Sequence, residues 1–138
     1  MASNRFVLDT SAIFTLIEDE DGAERVEQVL KKHAVLIPWI TLMEMMYISR
    51  QEKGEETALT RYANLKQTKA AILWNADEPT LFTAARLKAE YHISFADSIV
   101  AALAIQQDAI LLHKDPEYEA LKGQVEMEIL PYKKQAGK

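Results

Sequence analysis

The chain has 138 residues, a net charge of −5, three histidines and no cysteine; that length suits one domain able to bury roughly two-thirds of its unfolded surface. The lack of cysteine excludes disulfides, thiolate metal sites and thiol catalysis, and the scattered His33, His92 and His113 make no structural zinc motif. The acidic balance argues against a nucleic-acid coating protein, though not against an enzyme with a local basic rim.

Phe6-Val7-Leu8 is a short apolar run suited to a buried strand. Asp9-Thr10-Ser11 supplies capping side chains ahead of Ala12 to Ile17. After the acidic turn Glu18 to Gly22, Ala23, Val26, Val29, Leu30 and His33 share one helix face. The run Glu18 to Gly22 lacks the alternating ligand spacing of a calcium loop and reads as an exposed turn with a cap for that helix. Val35-Leu36-Ile37 is a second strand, and Pro38 suits the first turn of a helix running to about Gln51. Gly54 breaks that helix, and a polar one follows from Glu55 to Gln67.

Ala70 to Trp74 reads as a third strand, Pro79 opens a helix reaching Lys88, and Phe95 to Gln106 is a nearly wholly apolar, buried helix. Ala109 to Leu112 makes a fourth strand and Met127 to Leu130 a fifth. The alternation predicts an α/β fold, a mostly parallel sheet of four to five strands flanked by helices. One domain is expected over residues 1–132, with a disordered tail at 133–138. No segment approaches the ~20 apolar residues of a membrane span, so a soluble, cytoplasmic protein is expected.

Four acids interrupt or end apolar stretches: Asp9, Glu44, Asp97 and Asp115. Each has a structural explanation as a cap. Asp9 precedes a helix, Asp115 precedes Pro116, and Thr41-x-x-Glu44 and Ser94-x-x-Asp97 have capping-box spacing. Their placement argues for more. Asp9 and Asp115 follow strands, where open parallel sheets place ligands. Glu44 lies on a helix face with Ile40 and Ile48, and Asp97 begins the most apolar helix of the chain. Converging acids repel, and a hard divalent cation such as Mg²⁺ or Mn²⁺ is the usual remedy.

The order of these motifs resembles that of PIN-domain nucleases, above all the VapC-type toxins of toxin–antitoxin pairs. The resemblance rests on Phe6-Val7-Leu8-Asp9-Thr10-Ser11-Ala12, Thr41-x-x-Glu44, Ser94-Phe95-Ala96-Asp97-Ser98-Ile99-Val100-Ala101-Ala102 and Asp115-Pro116-Glu117-Tyr118. It implies a PIN-like fold and a metal-dependent endoribonuclease in which Asp9, Glu44, Asp97 and Asp115 form the catalytic Mg²⁺ or Mn²⁺ site. Thr10 or Ser11 would add a hydroxyl. It also implies an RNA substrate, a homodimer, and a small antitoxin protein whose Arg or Lys enters the acidic pocket.

Within that reading Asp9 and Asp97 are the expected direct ligands. Glu44 is a ligand or orients the attacking water, and Asp115 acts through water. His113, where such toxins more often carry a small hydroxyl residue, is expected to fill the strand end. Lys114 is adjacent to the site in sequence, and Arg50 and Lys53 end the helix bearing Glu44, although most surface cations are solvated bystanders. Of Met43, Met45 and Met46, not all can face inward, so the outer ones suit a dimer or antitoxin contact. Trp39 and Trp74 are expected in the core or an interface. The alternative is a non-catalytic PIN-like module that binds RNA or protein, whose mark would be a missing acid. A receiver or an Asp-x-Asp phosphatase fits less well, because Ser11 stands where the second Asp would be.

Overall fold

The computed structural model describes residues 5–133. Its strands are β1 (Arg5–Leu8), β2 (Ala34–Pro38), β3 (Ala71–Leu73), β4 (Ile110–His113) and β5 (Met127–Ile129). Its helices are α1 (Thr10–Ile17), α2 (Ala23–Lys32), α3 (Trp39–Lys53), α4 (Glu55–Lys66), α5 (Glu78–Glu90) and α6 (Phe95–Gln106), with a short 3-10 helix at Pro116–Leu121. The strands form one sheet in the order β3-β2-β1-β4-β5, and all four pairings are parallel. The fold is therefore α/β, as the alternation predicted, with the sheet wholly parallel.

The chain runs outward from β1 through β2 to β3, then returns across the sheet to β4 and β5 on the other side of β1. Right-handed crossovers turn such a reversal into helices on opposite faces. The two cores follow this rule. Phe6 and Leu8 of β1, with Val35, Ile37 and Leu112, pack against residues of α1 to α4 such as Ile13, Val26, Met45 and Leu65. Val7 and Leu111 face the other way, against Leu87, Val100, Tyr118 and Leu121. The period-two side-chain alternation of buried strands thus divides one apolar run between two layers.

The reversal leaves a crevice at the carboxyl ends of β1 and β4, the usual ligand position in such sheets. There the Asp9 amide donates to the Leu112 carbonyl at 3.0 Å, fastening the two strand ends together.

Several local expectations shift. Pro38 ends β2 and is the N-cap of α3 rather than its first residue. The helix therefore starts two residues before Thr41, whose hydroxyl donates to the Pro38 carbonyl at 2.8 Å. No capping box forms there, and Glu44 is free for another role. Helix α2 has its N-cap at Gly22, the last residue of the acidic turn, in the left-handed conformation. Trp39 and Trp74 are 43% and 56% exposed, which removes them from the core. Met45 is fully buried while Met43 is 56% exposed, so the methionines do divide between inside and outside. The tail expected to be disordered lies outside the described residues except for Lys133, whose ammonium reaches Glu20 at 2.9 Å.

Leu111 is fully buried at the centre of the second core. Leu111→Ala should cost about 2–5 kcal/mol in denaturant-unfolding free energy, since the rigid sheet cannot collapse into the void.

Candidate functional site

Asp9 follows β1 with extended backbone and caps α1: Asp9 Oδ2 accepts from the Ser11 amide at 3.0 Å and the Ser11 hydroxyl at 2.5 Å. The Ser11 hydroxyl also accepts from the Lys114 amide at 2.8 Å, so the residue after β4 helps orient Asp9. Asp115 caps the 3-10 helix, its Oδ1 accepting from the Glu117 amide at 2.9 Å. Ser94 caps α6 by accepting from the Asp97 amide at 3.2 Å. The reciprocal half of that capping box is absent, because the Ser94 amide donates to Glu117 Oε1. The Asp97 carboxylate is thereby left to turn into the crevice.

Carboxylate oxygens of Asp97, Asp115 and Glu117 lie within 4.8 Å of one another. Asp9 joins them through Tyr118, whose fully buried hydroxyl is 2.7 Å from Asp9 Oδ1 and 3.0 Å from Asp97 Oδ1. Glu44 reaches the group from α3, with Oε1 accepting from the Thr10 hydroxyl at 2.6 Å. All four acids singled out in the sequence thus stand in one neighbourhood. Thr10 and Ser11 each supply a hydroxyl to a different acid.

Two members were missed. Glu117 and Tyr118 carried weight only as part of a motif, although Pro116 was the available signal. A proline after a capping Asp starts a helical turn, and that turn delivers the next two side chains back to the crevice.

The electrostatics are those of crowded like charges. Burial, with Asp9 and Glu117 nearby, pushes the Asp97 carboxyl up to about 8. Burial, reinforced by Asp9, Asp115 and Glu117, raises Glu44 as well, against the opposing hydrogen bond from Thr10. None of the ion pairs among the described residues involves Asp9, Glu44, Asp97, Asp115 or Glu117. A cluster of oxygen donors lacking a protein cation has the donor chemistry of a hard divalent ion. The residues present fit Mg²⁺ or Mn²⁺.

His113 fills the end of β4, as expected. It is fully buried, its ring lies 4.8 Å from that of Tyr118, and its Nδ1 accepts from the Asp115 amide at 3.0 Å. That bond places the ring proton on Nε2, which has no partner among the described residues. Burial holds the imidazole below its usual value, favouring the neutral form. Lys114 does not serve the crevice as expected. Its ammonium is buried, 2.7 Å from the Asp21 carbonyl and 3.3 Å from Glu20. Arg50 pairs with Glu55 at 2.7 Å on the exposed end of α3.

Fold and site together define an α/β protein with an acidic centre at the switch point of a parallel sheet. Residues 6–124 match the family model of the PIN domain, and the chain belongs to that family. No curated protein matches it in sequence. Among solved structures it is similar to VapBC2 from Rickettsia felis bound to a DNA fragment from its promoter, at 18% identity and a TM-score of 0.77. That match covers 92% of this chain and 99% of the other. The DNA-bound VapBC from Salmonella typhimurium is 22% identical, with a TM-score of 0.73 and coverage of 91% and 97%. VapC20 of Mycobacterium tuberculosis, described as a toxin that cleaves the sarcin-ricin loop, is 14% identical, with a TM-score of 0.70 and coverage of 91% and 99%. At these identities the likeness is one of fold. No helix among the described residues is long and apolar enough to cross a membrane.

The Asp97 shift carries a sign that can be measured. Unfolded, Asp97 loses its proton near the ordinary 3.8; folded and metal-free, it keeps it to about pH 8. The native state binds the extra proton in that window, so its stabilising effect is present below pH 4 and lost as pH rises to 8. Thermal melts in chelator should show wild type losing several degrees relative to Asp97→Asn between pH 5 and pH 8. A constant difference between the two proteins would contradict the shift.

Proposed function

We propose that the chain is a metal-dependent endoribonuclease and the toxin of a toxin–antitoxin pair. One observation carries the chemistry: Asp97, Asp115 and Glu117 present oxygens within 4.8 Å of one another beside Asp9 and Glu44, with no cation among the described residues paired to any of them. Asp9, Asp97, Asp115 and Glu117 hold Mg²⁺ or Mn²⁺, and Glu44 completes the site as a ligand or as the group orienting water. When bound, the ion lowers the pKa of water and neutralises charge on the phosphate oxygens. Thr10 holds one Glu44 oxygen by hydrogen bond and leaves the other for the ion or for an attacking water. Ser11 fixes the Asp9 carboxylate against rotation. The PIN family assignment supports a nuclease, and the likeness to VapC20 supports RNA as the substrate.

The assembly follows the same logic. The antitoxin occupies the groove between α3 and α4, lined by Met43, Met46, Tyr47, Ala58 and Leu59, and sends a basic side chain into the acidic crevice. A second copy of the chain covers the α5–α6 face, where Leu81, Phe82 and Phe95 stand exposed beside an apolar groove of about 560 Å³. The protein acts in the cytoplasm as one domain over residues 1–132, with 133–138 as a tail.

Purified protein should cleave structured RNA in Mn²⁺ or Mg²⁺. Chelation should abolish cleavage, and Asp97→Asn should lower it by about 10²-fold or more, a loss expected when an ion cannot be held for charge stabilisation. Normal cleavage by Asp97→Asn would refute the assignment. Light scattering should give twice the chain mass for wild type and the single chain mass for Leu81→Glu, because a buried unpaired charge opposes association. A wild-type monomer at micromolar concentration would refute the dimer.

A further inference from the structure

Tyr118 lies on the 3-10 helix Pro116–Leu121 and is fully buried in the second core, against the ring of His113. Its hydroxyl alone, among the described side chains, touches two of the acids: Asp9 at the end of β1 and Asp97 on α6. A phenol carries one proton, so it donates to one carboxylate at a time. The carboxylates come from elements on either side of the crevice, and the ring position is set by packing rather than by the acids. The hydroxyl is therefore a fixed point to which both acids adjust.

The remaining contacts show what this accomplishes. Asp9 Oδ2 is occupied by the amide and hydroxyl of Ser11, and Oδ1 by Tyr118, so the orientation of Asp9 is fully specified. Asp97 Oδ1 stands 3.0 Å from the same hydroxyl, and its second oxygen has no side-chain hydrogen-bond partner among the described residues. Its carboxylate belongs to the same close group as Asp115 and Glu117. Without the phenol nothing among the described residues ties Asp9 to Asp97.

We propose that Tyr118 is a positioning residue that holds the Asp9 and Asp97 carboxylates together for a divalent cation. The proposal rests on the reading of the crevice as a metal site and adds the residue that preorganises it. Partners that orient ligands from behind commonly contribute 10- to 100-fold in metal affinity. The ring accounts for the packing and the hydroxyl for the orientation, so Tyr118→Phe separates the two roles.

The test is calorimetric titration of Mn²⁺ into wild type, Tyr118→Phe and Asp97→Asn, with RNA cleavage followed across Mn²⁺ concentration. Tyr118→Phe should fold, bind Mn²⁺ about 10-fold or more weakly, and need correspondingly more Mn²⁺ for half-maximal cleavage. At saturating Mn²⁺ its kcat should return towards the wild-type value. Unchanged Mn²⁺ affinity in folded Tyr118→Phe would overturn the positioning role and leave the metal site standing. Wild type that takes up no Mn²⁺ would overturn both, and wild-type binding undiminished in Asp97→Asn would place the ion elsewhere. A loss of kcat at saturating Mn²⁺, with affinity unchanged, would assign the phenol to a later step and overturn the proposal equally.

Discussion

The constraint around which this molecule is arranged is the crowding of five carboxylates at the carboxyl end of a parallel sheet, with no cation among the described residues paired to them. Such a group opposes folding, since partly buried like charges repel in a medium that screens them poorly. It persists because the apolar cores on both faces of the sheet hold its supports in place. Asp97 shows the stress most clearly, keeping a proton to about pH 8. A protein in which such groups are concentrated at one crevice has given up stability there for chemistry.

Capping and site-building are done by the same side chains. Asp9 and Asp115 both cap helical turns, and Ser94 caps the helix carrying Asp97. Capping fixes one carboxylate oxygen at a backbone amide and leaves electron pairs on the carboxyl for other uses. The cap is thus the device that aims Asp9 and Asp115 directly and Asp97 through its helix, while Glu44 takes no part in capping; for the first three, the two explanations offered are parts of one arrangement. The chain from the Lys114 amide through Ser11 to Asp9 extends it across two strands. Lys114 contributes its backbone to the site while its ammonium is buried with Glu20 on another flank.

The exposed apolar surfaces fall on two separate grooves. Met43, Tyr47 and Leu59 line one groove, and Leu81 and Phe95 flank another. Separate helix pairs carry them, α3 with α4 and α5 with α6.

Much of this was legible in the residues alone. Short apolar runs alternating with helical periodicity announce a parallel α/β sheet, and the boundaries came within a residue or two because Gly54, Pro79 and Asp115-Pro116 punctuate the chain. Asp9, Glu44, Asp97 and Asp115 stood out because an acid in an apolar context has few cheap explanations. The order reversal of the strands, and hence the crevice, was not legible, since period-two patterning says which faces are buried but not which strand lies beside which. Nor were Glu117 and Tyr118, whose importance comes from a 3-10 turn that folds them back on residues 21 to 109 positions away. The fate of Lys114 was hidden for the same reason. Local chemistry decided which side chains can cap, ligate or pack, because those properties travel with the residue and its neighbours. Only the tertiary structure decided which of them meet, because distance across the fold is set by strand order and layer packing rather than by spacing along the chain.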